Sequence, residues 1–139
     1  MRRKNTELLS VVARKLSPFI FLFGFYLVSF GHVSPGGGFQ GGVVIASGMI
    51  LLVLSERQRG SDLGQGRMGL GARILTAGES AAFGLLLALG ILGIATAGFF
   101  LASPLQGVGF VLALNILIGV KVAAGVSLIA VALFREEET

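Results

Sequence analysis

Cysteine is absent from this 139-residue chain, and histidine occurs once. The first absence excludes a disulfide framework, a thiolate metal site and a cysteine nucleophile. The second leaves little scope for a histidine-based metal centre. Charge is scarce as well: Asp, Glu, Lys and Arg make up 13% of the residues, against about 25% in a soluble protein. In their place, hydrophobic residues reach 54% and glycine occurs 22 times, with a mean hydropathy of +0.89. Such a chain cannot cover a water-facing surface, which argues strongly against a soluble enzyme.

The net charge of +4 and an isoelectric point near 10.4 raise the question of nucleic acid. The placement of the charges answers it. Ten of the eleven basic residues and all seven acids lie in three segments, residues 2–15, 56–79 and 135–138; the exception is Lys121. Long uncharged runs separate these segments, the pattern of membrane spans and their connections. No aromatic residues interleave with the arginines, as single-strand stacking requires, so nucleic acid is not an expected partner.

About 20 apolar residues cross the ~30 Å hydrocarbon layer of a bilayer. Four runs qualify: 16–33, 37–55, 80–103 (closed by Pro104) and 108–134, the last interrupted by Asn115 and Lys121. The expected fold is therefore an all-α integral membrane protein, one membrane domain of four transmembrane helices. Residues 1–15 form the N-terminal segment, with Leu8 to Val12 as an amphipathic interfacial turn or two. Residues 56–79 form the middle loop, glycine-rich and flexible over 59–66, and residues 135–139 a tail. The N-terminal segment, middle loop and tail carry five, four and one basic residues, and the two opposite loops carry none. By the positive-inside rule both termini are cytoplasmic. Arg2, Arg3 and Lys4 ahead of an apolar run also suit a signal peptide, but no small-residue cleavage site follows, so the segment is expected to be retained.

Lys121 stands about 13 residues from either end of the fourth run, about 20 Å along a helix from each boundary. Its stem is too short to reach water from there, and a buried ammonium needs a carboxylate, a wet cavity or the neutral state. No carboxylate is expected at that depth, so the partner is expected from another subunit. Lys121 reads either as a protonatable station, or fixed gating charge, or as half of a structural ion pair between subunits. Asn115, six residues away and about 120° around the helix, reads first as an interhelical hydrogen-bonding group. Glu79, where the loop meets the third run, reads as an access point for a proton or cation, or as a helix-start acid. His32, ending the first run, reads as a titratable group or a structural hydrogen-bonding one.

The most unusual stretch is Gly31-His32-Val33-Ser34-Pro35-Gly36-Gly37-Gly38-Phe39-Gln40-Gly41-Gly42. Proline removes a donor and the glycines open backbone conformations closed to other residues. The expectation is a tight hairpin between helices 1 and 2, with irregular backbone shielded by protein. Gly38 and Gly42 also form a G-x-x-x-G step suited to close helix contact. Gly84, Gly90, Gly93 and Gly98 in the third run, and Gly119, Ala123 and Gly125 in the fourth, point to close contacts as well.

Two of these patterns together resemble a known family. Tyr26-Leu27, Gly31-His32 and Pro35 to Gly42 resemble the B subunit of Mrp-type multisubunit cation/proton antiporters. The pattern N-x-x-x-G-x-K-V-x-x-G from Asn115 through Gly119 and Lys121 to Gly125 is similar to that family's last helix, and Glu79-Ser80 matches more weakly. The resemblance implies a non-catalytic subunit in the cytoplasmic membrane of a prokaryote, part of a complex that exchanges sodium for protons or of a related membrane-bound hydrogenase-like complex. Its partners would be the other membrane subunits, the lipid bilayer, Na+ and H+. His32, Pro35 to Gly42 and Lys121 are the positions carried over; no cofactor and no metal site are implied. The arginine- and glycine-rich loop and the short connection between runs 3 and 4 depart from the family pattern and leave the parent complex open. A purely structural scaffold or assembly subunit is the alternative reading.

Overall fold

A computed structural model describes residues 2–31, 33, 36–58, 63–98 and 107–136. Every regular element among them is a helix: α1 (Arg2–Phe30), α2 (Gly38–Gln58), α3 (Leu63–Ala97) and α4 (Val108–Glu136). Each contains a stretch long and apolar enough to cross a membrane: Ser10–Phe30, Gly38–Ser55, Gly71–Thr96 and Gly109–Phe134. Hydroxyls inside these stretches donate to carbonyls of their own helix, Ser17 to Ala13 at 2.7 Å, Ser47 to Val44 at 2.7 Å and Thr96 to Leu92 at 2.8 Å. That is how a polar side chain is satisfied where water is absent.

The helices run longer than the apolar runs. Residues 56–58 continue α2, and residues 63–79 belong to α3, so most of the expected middle loop is helical; of its flexible stretch 59–66, residues 63–66 are helical and 59–62 lie outside the described residues. The charges of Arg67 and Arg73 and the glycines lower hydropathy there. Glycine costs only about 1 kcal/mol in a helix interior, too little to stop a helix that satisfies every backbone group internally. Likewise Leu8 to Val12 is not a separate turn but part of α1, because no breaker stands before Pro18. At its other end α3 stops at Ala97. Gly98 follows with φ +75°, its N–H bonded to the Ile94 carbonyl at 3.0 Å, a left-handed glycine terminating the helix. The described part of α3 ends there, and residues 99–106, Ser103 and Pro104 among them, lie outside the described residues.

The helices stand side by side in the order α1, α2, α4, α3. The pair α1–α2 is antiparallel, α2–α4 parallel and α4–α3 antiparallel, while α1 and α4 also touch where Val28 meets Gly119. The interior is built of small side chains. Ala13 and Ala46 are wholly buried, Ala82, Ala123 and Ala124 nearly so, and among the described residues no side chain larger than that of Ser17 is fully buried. Large apolar side chains point outward, including Phe19, Leu22, Phe25, Ile91 and Ile129. No more than a third of the most apolar stretch of any span is buried. This surface needs hydrocarbon or other subunits around it, and the close backbones inside replace hydrophobic collapse with van der Waals packing.

The first turn of α2 is the closest contact. A Cβ on Gly41 would lie 2.8 Å from the Gly24 carbonyl oxygen of α1, and one on Gly42 would lie 2.7 Å from the Gly119 carbonyl oxygen of α4. Gly38, one turn before Gly42, presses on the Asn115 backbone. Ahead of the helix, Gly36 and Gly37 take φ of +155° and +139°, values open to glycine and strained for other residues. Gly31 and Gly37 abut, so the hairpin closes backbone on backbone. Two expected packing glycines do not pack: nothing lies within 4 Å of a Cβ on Gly84 or Gly98. Gly90 and Gly93 are buried.

Candidate functional site

The lone lysine of the fourth span finds its neighbours on α3. Lys121 stands at the middle of Gly109–Phe134, and its Nζ lies 5.1 Å from the centroid of the Phe83 ring, within the range of a cation–π contact. Such a contact contributes about 2 kcal/mol when desolvated, against about 2.5 to 3.5 kcal/mol for placing a lysine at a helix centre on translocon scales. The ring alone does not offset the full cost.

A carboxylate of the same chain stands about one turn away along the seam. Four residues before Phe83, and so one turn away on the same face of α3, stands Glu79. A Cβ on Gly125 would meet the Glu79 Oε1 at 3.8 Å, so the carboxylate sits against the bare backbone of α4, one turn from Lys121. Antiparallel packing brings 79 opposite 125 and 83 opposite 121. The expectation that no carboxylate of this chain approaches Lys121 in depth is therefore corrected. Glu79 is not at the head of its helix but near the midpoint of α3, inside the apolar stretch Gly71–Thr96. The sequence reading ended the span at the first charge and so put this acid outside it. Gly125 thus leaves the α4 backbone within van der Waals reach of the carboxylate.

Further along the seam, where α2 joins it, lies a cavity of about 30 Å³ bounded by Met49, Val53, Leu75, Ser127, Val131 and Phe134. Ser127 donates its hydroxyl hydrogen bond to the Met49 sulfur at 3.6 Å. Phe83, Ser127 and Met49 were missed by sequence reasoning. Only the four-residue spacing of Glu79 and Phe83 offered a signal, and it has meaning only once α3 is known to be one helix.

Asn115 faces the other way. Its Oδ1 accepts a long hydrogen bond, 3.5 Å, from the Gly38 N–H, one of the helix-start donors that lack an intrahelical partner. The Gly37 carbonyl accepts from Gly41 at 3.0 Å. The glycine motif and the Asn115-Gly119 pair are thus two halves of one contact, and Phe39 and Gln40 are exposed on its outer side. His32 and Pro35 lie outside the described residues.

Four apolar helices with a small-residue interior, one glycine-capped hairpin and a single charged seam define a multi-pass helical membrane protein. Residues 8–128 match the family described as a domain related to the MnhB subunit of Na+/H+ antiporter, and the chain belongs to that family. It is 46% identical over 54 residues, 38% of each chain, to the B subunit of the Na(+)/H(+) antiporter from Bacillus subtilis (strain 168). It is 40% identical over 53 residues, again 38% of each chain, to a putative antiporter subunit mnhB2 of Staphylococcus saprophyticus. An uncharacterized protein of Methanocaldococcus jannaschii is 32% identical over 147 residues, an alignment covering 95% of this chain and 53% of that protein. The alignments thus take in between 38% and 53% of these relatives' lengths.

Proposed function

We propose that this chain is a non-catalytic membrane subunit of a multisubunit monovalent cation (Na+)/proton antiporter, or of a related ion-pumping redox complex, in a prokaryotic cytoplasmic membrane. Other membrane subunits cover its outward apolar faces, and Lys121 and Glu79, with His32 as a further polar position, contribute to a path for ions or protons. The observation that carries the reading is the match to the MnhB-related family across residues 8–128. The charged seam supports an ion-path contribution, because a carboxylate and an ammonium within apolar stretches are costly to keep without use. The test is sodium-driven proton movement in vesicles holding the assembled complex with and without this chain. Exchange that depends on the chain is expected; undiminished exchange without it would sink the reading.

The scaffold alternative also has an observation in its favour. The contacts of Gly38, Gly41 and Gly42 with Gly24, Asn115 and Gly119 join three helices with little side-chain chemistry. Lys121→Ala separates the two: lost assembly favours the scaffold, and lost transport in an intact complex favours the path.

A further inference from the structure

Three features follow one another along the seam of α3 and α4. Nearest the Phe134 end is the small cavity between α2, α3 and α4, whose exposed lining is apolar. One turn along α3 from its Leu75 wall comes the Glu79 carboxylate, seated against Gly125. One turn further the Lys121 ammonium rests on Phe83 at mid-span. The geometry points to this seam as a proton half-path, from the Phe134 end to the middle of the span, in which Glu79 takes up the proton and exchanges it with Lys121. This inference rests on the antiporter-subunit reading and names the ion that the chain itself handles.

The donor set selects a proton over sodium. A hard cation needs several oxygen ligands, whereas the described surroundings supply one carboxylate, and the nearby Ser127 hydroxyl is directed at Met49. A proton needs one basic oxygen. The inward transfer balances within the pair: the O–H bond of protonated Glu79 breaks, an N–H bond forms on the neutral Lys121 amine, and a carboxylate and an ammonium replace the neutral acid and amine. The pair's net charge is the same before and after this step, which eases transfer in a low-dielectric interior. The flexible four-carbon lysine stem can swing from the ring toward the carboxylate, about 6 Å along the helix. Within residues 38–55, 71–96 and 109–134 the sequence holds one other charged side chain, Arg73, and it is exposed.

The experiment compares the wild-type complex in inverted vesicles with Glu79→Gln, Glu79→Asp, Lys121→Met and the double variant Glu79→Gln/Lys121→Met. Initial rates of sodium-driven proton movement are read across pH, and assembly is scored by affinity purification. Glu79→Gln should slow exchange by about 100-fold, the low end for loss of a positioned proton-transfer group, in an intact complex. Glu79→Asp should recover part of the rate with a displaced pH profile, and the double variant should be no slower than the worse single one. A wild-type rate and profile in Glu79→Gln, or multiplicative losses in the double variant, would overturn the proposal. Should Glu79→Gln not assemble, the wild-type complex is treated with dicyclohexylcarbodiimide, which attacks protonated carboxyl groups in membranes. Labelling of Glu79 that quickens as pH falls, mapped by mass spectrometry, is the expected result. No labelling at any pH overturns the proposal, and protection by sodium at fixed pH overturns the choice of proton. Exchange that needs the chain but ignores Glu79 sinks this inference alone; exchange that persists without the chain sinks the antiporter reading.

Discussion

At Gly42 one methyl group decides whether α2 and α4 can meet. A Cβ there would stand 2.7 Å from the Gly119 carbonyl and 2.9 Å from the Val122 side chain, and backbone cannot give way as a side-chain end can. Gly42→Ala should destabilise the folded chain by about 1 to 3 kcal/mol, the usual cost of overpacking. Gly84→Ala, with open space around it, should stay within about 0.5 kcal/mol of wild type. Thermal unfolding of both variants in detergent checks the pair, and equal effects would refute the packing assignment. Asn115→Leu removes the acceptor for the Gly38 N–H, and the expected loss is about 1 kcal/mol or less, since interhelical hydrogen bonds in membranes are individually weak. Glycine composition made these residues conspicuous in the sequence, but not which of them touch a neighbour. A glycine carries no direction of its own, and only the facing helix distinguishes Gly42 from Gly84.

At the scale of elements, α3 shows best where sequence reading succeeds and where it stops. Hydropathy finds its apolar half, because a long uncharged run has few other uses. It loses the first half, where arginines and glycines lower the average while the backbone goes on bonding to itself. That misplaced start moved Glu79 out of the span and hid its approach to Gly125. The register between α3 and α4 was illegible for a further reason: the pairing of 79 with 125 and of 83 with 121 depends on the connection between them and on the whole packed seam. The end of α3 carries its own test. Gly98 holds φ +75°, a conformation that costs an alanine about 1 kcal/mol. Gly98→Ala should fray the last turn, read as faster amide exchange around Ile94 to Ala97 with exchange in the middle of α3 unchanged. Equal protection in both proteins would mean that Gly98 does not hold the end of the helix.

For the whole molecule, the absence of cysteine that narrowed the chemistry makes the topology measurable. Four consecutive spans return the chain to the side from which it started. The basic stretches ahead of the first span and between the second and third, residues 2–9 and 56–70, then lie on one side, and the connections after α1 and α3 lie on the other. The positive-inside rule gives the expectation that this first side is the cytoplasm. That orientation would turn the Phe134 end of the charged seam toward the cytoplasm, because α4 runs back toward the basic side. Each thiol introduced into this chain would be its only one. Asn5→Cys and Ser61→Cys should react with a membrane-impermeant maleimide only in inverted vesicles. Val33→Cys and Gly107→Cys, both at exposed positions beyond the helix ends, should react only in intact spheroplasts. The reverse pattern would turn the molecule over, and with it the side from which Glu79 draws its proton. A mixed pattern would break the four-span arrangement itself.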